Sequence, residues 1–337
     1  MYIGKIGNDP VEIGPGSPNS SILMTGISGS GKTCRMNQIE LEAAINGDIV
    51  IALDLNQSHE EGQIFGPLRE RYFHLENRVN ILEEGMELNF LRPMKNENFV
   101  NLVNSAIKSL TAATRLGTRQ IGALRTAIIY AIKNLNNFEN EMTAITEGLL
   151  QQSSRDADAV YEKLWTLLNC GVFRASSKRI EPGKINILSF KNIDAMTQVI
   201  IAEIIMAYLW RSAQYYGQTM NREIVVVLDE FQNLALCKDS ALWNMLREGR
   251  KFRMSFLLGT QSLDYFTKDK NCILGQVGVR LYFRPTIKEM RDIARTIDEK
   301  EKEAWLKRLS MLKIGESIAV GNFTIGKNVI EHPIILN

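Results

Sequence analysis

The segment Gly26-Ile27-Ser28-Gly29-Ser30-Gly31-Lys32-Thr33 has residue types and spacing suited to one task, holding a polyphosphate. It fits the pattern G-x-x-x-x-G-K-[ST] at every fixed position. The glycines let the backbone turn so that successive N–H groups point inward at an anion. A helix opening directly after the loop adds the partial positive charge of its N-terminus to the same spot. Lys32 can reach the outer phosphates of ATP, and Thr33 can offer its hydroxyl to Mg²⁺. The expected nucleotide contacts are Gly26, Ser28, Gly29, Ser30, Gly31, Lys32, Thr33 and Cys34, with Thr33 also a metal ligand. The alternative is a Gly/Ser-rich surface loop. The apolar run before it, Ser21–Thr25, and the helical pattern after it, Cys34–Asn46, argue against that.

Binding needs only this loop, whereas hydrolysis needs an acidic site at the end of a neighbouring strand. Glu223–Glu230 is the most apolar strand pattern in the chain and ends in two carboxylates. Asp229 would hold the Mg²⁺ shell, and Glu230 would orient and deprotonate the attacking water. Without the phosphate loop, a solvated Asp-Glu pair feeding a turn would be the better reading. Gln261 closes a later apolar strand, at the edge where ligands bind in open α/β sheets. Its amide can hydrogen-bond both the γ-phosphate and the water.

These groups require a mostly parallel sheet with helices between its strands. Ile49–Asp54 reads as the strand after the first helix, and Arg78–Leu82 as another, with Leu88–Phe90 a further candidate. Lys184–Phe190, Ser255–Gln261 and Val279–Arg284 complete the apolar runs. A long helix is expected over Asp194–Tyr216, with Asp194 as N-cap, and another over Ser240–Lys251. Lys288–Ile297 and Glu299–Leu309 also read as helices. Met1–Pro18 and Glu316–Ile325 each look like a hairpin. From about residue 96 to 178 the period changes from strand-like to helical, through Leu102, Ala106 and Leu110, then Leu124, Ile128 and Leu135, then Val160, Leu164 and Leu168. The division is therefore residues 1–95 as the first part of an ATPase core, 96–178 as a helical insertion, and 179–337 as the rest of the core.

Composition excludes little. The net charge of +2 gives no argument for nucleic-acid binding, although Arg115, Arg119 and Arg125 could contact one or simply be solvated. Cys34, Cys170, Cys237 and Cys272 lack zinc or disulfide spacing, and His59, His74 and His332 lack metal-ligand spacing, which points to a reducing cytoplasm. No apolar run reaches the roughly twenty residues of a membrane span, so no direct membrane insertion is expected.

The order Leu228-Asp229-Glu230-Phe231-Gln232-Asn233-Leu234, Leu246-Arg247-Glu248-Gly249-Arg250-Lys251 and Leu258-Gly259-Thr260-Gln261-Ser262 resembles the HerA/FtsK superfamily of motor ATPases. Val279–Arg284 is similar to the strand that carries that superfamily's arginine finger. The resemblance implies an α/β, RecA-like phosphate-loop core that hydrolyses ATP with Mg²⁺ as a hexameric ring. It assigns Arg280 as the trans-acting finger and Arg284 as runner-up. Their even spacing on a strand puts both on one face, where they could equally pair with carboxylates of the same subunit. Arg247, Arg250, Lys251 and Arg253 would line the subunit interface or flank an exposed helix. Double-stranded DNA is the implied polymer. The helical insertion is similar to ATPases of type IV secretion and conjugation, which implies an alternative role energising such a complex at the membrane periphery. A nucleotide-gated scaffold for a partner such as a nuclease is a third reading. The segment Asp54-Leu55-Asn56-Gln57-Ser58-His59 departs from the acidic, Lys-containing stretch usual at this place.

Overall fold

Successive residues of a strand face opposite sides of its sheet, so a strand apolar at every position needs cover on both. The strands of this protein behave in that way. The computed structural model describes residues 1–64, 66, 68–111, 114–234, 240–266, 274–330 and 333–337. Cys237, Cys272 and His332 lie outside the described residues.

A nine-stranded sheet runs in the order β13-β10-β9-β3-β8-β7-β4-β6-β5. Its parallel part is β3 (Ile22–Thr25), β4 (Ile49–Asp54), β5 (Glu76–Asn80), β6 (Ile185–Ser189), β7 (Ile224–Leu228), β8 (Met254–Thr260) and β9 (Val279–Tyr282). β10 (Ser317–Val320) joins β9 antiparallel, and β13 (Ile334–Leu336) pairs with β10. Alternate residues feed two separate cores. On β4, Ile49, Ile51 and Leu53 enter one, and Val50 and Ala52 the other. On β7 the same division separates Val226 and Leu228 from Val225 and Val227. The second core is closed by α1 (Lys32–Ile45) and α2 (Arg69–Leu75).

The first core is closed by α3 (Phe99–Thr111), α4 (Thr118–Asn134), α5 (Glu141–Leu150), α6 (Arg155–Asn169), α7 (Ala195–Tyr216) and α8 (Ala241–Glu248). α3 to α6 occupy the stretch whose period is helical, and they pack on one another and on α7. Asp194 caps α7, accepting from the N–H groups of Met196 and Thr197 at 3.1 Å each. α9 (Ile287–Ile297) and α10 (Lys302–Met311) follow β9.

Two expectations fail. Leu88–Phe90 is not a strand, because its polar backbone is paired elsewhere: the N–H groups of Phe90 and Leu91 donate to Glu141, and the Phe90 carbonyl accepts from Arg211. The segments 316–320 and 321–325 do not form a hairpin with each other. β10 stays in the large sheet, while β11 (Phe323–Ile325) crosses to a four-stranded sheet of order β1-β2-β11-β12. That sheet contains the expected N-terminal hairpin of β1 (Tyr2–Ile6) and β2 (Asp9–Ile13), with β12 (Asn328–Ile330) at its other edge. Gly321 between β10 and β11 has φ 155°, and a Cβ there would lie 2.8 Å from the Gly278 carbonyl oxygen.

Candidate active site

The phosphate loop joins β3 to α1, and its shape depends on two glycines under close contact. A Cβ on Gly26 would stand 2.7 Å from Phe283 Cβ, and one on Gly31 would stand 2.7 Å from the Gly315 backbone nitrogen. Both have positive φ, 156° and 101°. The loop is braced on both flanks. Ile27 N–H donates to the Arg284 carbonyl at 2.9 Å, and Gly315 N–H donates to the Ser30 carbonyl at 3.0 Å. Buried Arg35 on α1 donates to the carbonyls of Ile3, at 2.9 Å, and Gly315, at 3.2 Å. No side chain caps the start of α1. Its first N–H groups are therefore left for an anion. Ser28 and Cys34 are exposed beside this opening, and the buried Ser30 hydroxyl has no partner among the described residues.

Lys32 folds its ammonium back over the loop, donating to the carbonyls of Gly26 at 2.7 Å and Ile27 at 3.2 Å. Burial pushes its pKa down, against the pull of the Asp229 and Glu230 carboxylates. The Thr33 hydroxyl donates to Asp229 Oδ2 at 3.3 Å, so the two expected metal ligands, one on α1 and one just past β7, meet. Asp229 fits there because β8 has a glycine opposite: a Cβ on Gly259 would lie 2.5 Å from Asp229 Oδ1. Burial raises the Asp229 pKa and Glu230 adds to the rise, while Lys32, His59 and the Thr33 hydroxyl pull it down.

Glu230 sits in the left-handed region, φ 57° and ψ 47°, which is uncommon for a residue with a Cβ and clusters at functional sites. Its carboxylate and that of Asp229 both line a cleft of about 430 Å³. One oxygen accepts from Gln261 Nε2 at 2.9 Å, the other from Gln232 Nε2 at 2.5 Å. The structure thus brings Lys32, Thr33, Asp229, Glu230 and Gln261 to one edge of the sheet, at the ends of β3, β7 and β8.

Sequence reasoning missed the rest of the cleft. Among the described residues six carboxamides line it, Asn56, Gln57, Gln63, Gln232, Asn233 and Gln261, of which only Gln261 was expected. Amides donate and accept without charge, so the wall suits a phosphate oxygen and a water at once. Three of the six lie on the segment after β4. Behind that segment, His59 bridges Asp54 and Glu40. Nothing in its spacing signals this, because the partners are nineteen and five residues away on other elements.

The two arginines differ in exposure. β9 ends at Tyr282, two residues before Arg284. Arg280 is half-buried in the sheet, in register with Leu23 and Val320, and its charge pulls down the pKa of Tyr282, which burial raises. Arg284 is exposed at the sheet edge beside the phosphate loop. Of the other basic residues, Arg250 donates to the Pro18 carbonyl at 2.6 Å and Lys251 pairs with Glu248 at 3.2 Å. Arg115, Arg119, Arg125, Arg247 and Arg253 are exposed. Among the described residues no helix is long and apolar enough to cross a membrane.

No protein-family model matches the chain, and no curated protein does. Solved structures do. VirB4 of Thermoanaerobacter pseudethanolicus superposes with a TM-score of 0.69 at 16% identity, over 100% of this chain and 96% of that one. The plasmid coupling protein TrwB with a non-hydrolysable ATP analogue gives 0.64 at 13% identity, over 94% and 85% of the two chains. TrwB with ADP and Mg²⁺ gives 0.61 at 12% identity, over 94% and 86%. At these identities the likeness shows the fold, and the fold is the RecA-like α/β architecture that the sequence resemblance implied.

Proposed function

We propose that this protein is a Mg²⁺-dependent ATPase of the HerA/FtsK superfamily that works as a ring and translocates double-stranded DNA. The observation that carries the ATPase reading is the meeting of Lys32, Thr33, Asp229, Glu230 and Gln261 at one sheet edge. These residues fit the nucleotide and its metal: uncapped N–H groups start α1, and a hydroxyl and a carboxylate lie 3.3 Å apart. Among the described residues no group of three or more His, Cys, Asp or Glu side chains could hold a metal. Thr33 and Asp229 would therefore hold Mg²⁺ jointly with phosphate oxygens. When bound, the ion neutralises charge on those oxygens.

The chain's own groups do the rest. Lys32 exchanges its two carbonyl partners for phosphate oxygens. Glu230 gives up one amide partner and accepts a proton from the water, and Gln261, released from Glu230, positions that water. None of the described residues lining the cleft is Lys or Arg. An arginine supplied by a neighbouring subunit would meet the charge developing on the transferred phosphoryl group on that side.

A second reading, an ATPase energising a conjugation or secretion complex, is supported by the extent of the likeness to VirB4 and to TrwB, a bacterial conjugative coupling protein. The test is ATPase rate per subunit against protein concentration, with and without duplex DNA, for wild type, Arg280→Ala and Arg284→Ala. A rate that rises with assembly, responds to DNA and collapses in one arginine variant is the expected result. A flat rate indifferent to DNA and to both substitutions would sink the ring-translocase reading and leave the second.

A further inference from the structure

His59 is 1% exposed, and its neighbours Glu40, Asp54 and Tyr72 are 0%, 1% and 1% exposed. The ring lies between two carboxylates: Nδ1 is 3.2 Å from Asp54 Oδ1, and Nε2 is 3.1 and 3.2 Å from the two oxygens of Glu40. A neutral imidazole has one N–H and could serve only one of them. Two carboxylate partners require the imidazolium. His59 is then a cation between Glu40 and Asp54, and a second cation, Arg78, donates to the His59 carbonyl and lies 3.8 Å from Asp54 and 3.5 Å from Glu60. Tyr72 of α2 donates to Glu40 from the far side at 2.5 Å. Glu76 of β5 holds Arg78 at 2.7 Å.

This cluster sits under the segment that walls the cleft. Asp54 ends β4 and accepts from the Ser58 N–H at 2.8 Å, closing a tight turn over residues 54–58. Gln57 inside that turn is left-handed, φ 56°, and such a conformation persists only where the surroundings over-determine it. Asn56 from the same turn reaches the Asp229 carbonyl at 3.5 Å. The turn is therefore tied at its base to α1, the helix that also carries Lys32 and Thr33, and at its tip to the strand end that carries Glu230. A buried charged cluster is seldom the most stable filling for such a space; an apolar one is often as good or better.

We propose that His59 is a positioning residue: clamped between Glu40 of α1 and Asp54 of β4, it fixes the 55–63 turn so that its amides face Glu230 across the cleft. The inference rests on the ATPase reading and adds to it a residue that touches neither nucleotide nor metal.

The test compares steady-state ATPase and thermal unfolding of the full chain for wild type, the double variant Glu40→Gln with His59→Gln, and Tyr72→Phe. The double variant removes one charge of each sign and keeps the cluster's net charge. Expected is a fall in kcat of about tenfold or more, as for other supporting partners of a catalytic shell, with KM for ATP within about twofold and the unfolding midpoint little changed. Tyr72→Phe loses a hydrogen bond on the side away from the cleft and should keep its kcat. If both variants lose activity in step with stability, the cluster is only structural and the proposal falls; an unchanged kcat in the double variant overturns it as well. Should that variant fail to fold, Asn56→Ala with Gln63→Ala, both exposed, reads the same turn: a lower kcat at constant KM supports the proposal, and full activity overturns it. A wild-type protein without ATPase activity would instead remove the reading on which the proposal stands.

Discussion

At the scale of single residues, the chemistry divides between groups that bind and groups that react. Lys32 contacts only carbonyls of its own loop, so its removal should leave the fold intact and cost nucleotide affinity. Lys32→Ala is expected to abolish ATP binding measured by calorimetry or a fluorescent analogue. Gly259→Ala is a sharper probe of the metal site, because its Cβ would meet Asp229 Oδ1 at 2.5 Å. That variant should raise the Mg²⁺ concentration needed for half-maximal activity, read by titration at fixed ATP; an unchanged Mg²⁺ dependence would count against Asp229 as ligand. Most of these residues were legible because the phosphate-loop pattern is local. Gln232 was not, since an amide held on Glu230 two residues away has the same sequence appearance as any polar turn residue.

Among elements, strands covered on both faces announce themselves as continuous apolar runs, and β4, β6, β7 and β8 were read close to their observed bounds. α2 was missed; it is short, and it is anchored through buried Tyr72, whose partner Glu40 lies 32 residues earlier. The segment Leu88–Phe90 was misread because the backbone there and just beyond is held by buried polar side chains in place of a strand ladder. Arg211 of α7 is the centre of this arrangement, donating to the Phe90 and Arg92 carbonyls and paired with Glu97. Arg211→Met leaves Glu97 without its cation and should destabilise the protein by about 3 kcal/mol, measured by urea unfolding.

The His59 cluster adds a pH dependence at this scale. Burial alone would lower the His59 pKa, but the Glu40 and Asp54 carboxylates outweigh it and raise it to about 10. A raised folded pKa contributes stability that is fully present below the unfolded value near 6.5 and is lost as pH rises toward 10. Unfolding free energy should therefore decline from about pH 6.5 to 10, and the Glu40→Gln with His59→Gln variant should flatten that decline. An equal slope in the variant would place the titration elsewhere.

For the whole molecule, the sheet edge gathers the groups proposed to react, and the proposed ring would add a cation from a neighbour. Among the described residues the cleft lining has amides and carboxylates but no cation, Arg280 is half-buried within its own sheet, and Arg284 is exposed at the rim. The even spacing of the two arginines suggested a shared face with Arg280 as the finger, and Arg284 is the more exposed of the two. Mixing tests the division directly: if the finger acts in trans, Glu230→Gln and the arginine variant, each inactive alone, should regain activity when combined in one ring. All of this depends on the site hydrolysing ATP through Glu230. The most direct measurement is Mg²⁺-ATP turnover by wild type and Glu230→Gln, with nucleotide binding measured on both. The account predicts turnover by wild type and a loss on the order of a hundred-fold or more in the variant at undiminished ATP affinity. Equal turnover by the two proteins, or none by wild type with ATP bound, would contradict it.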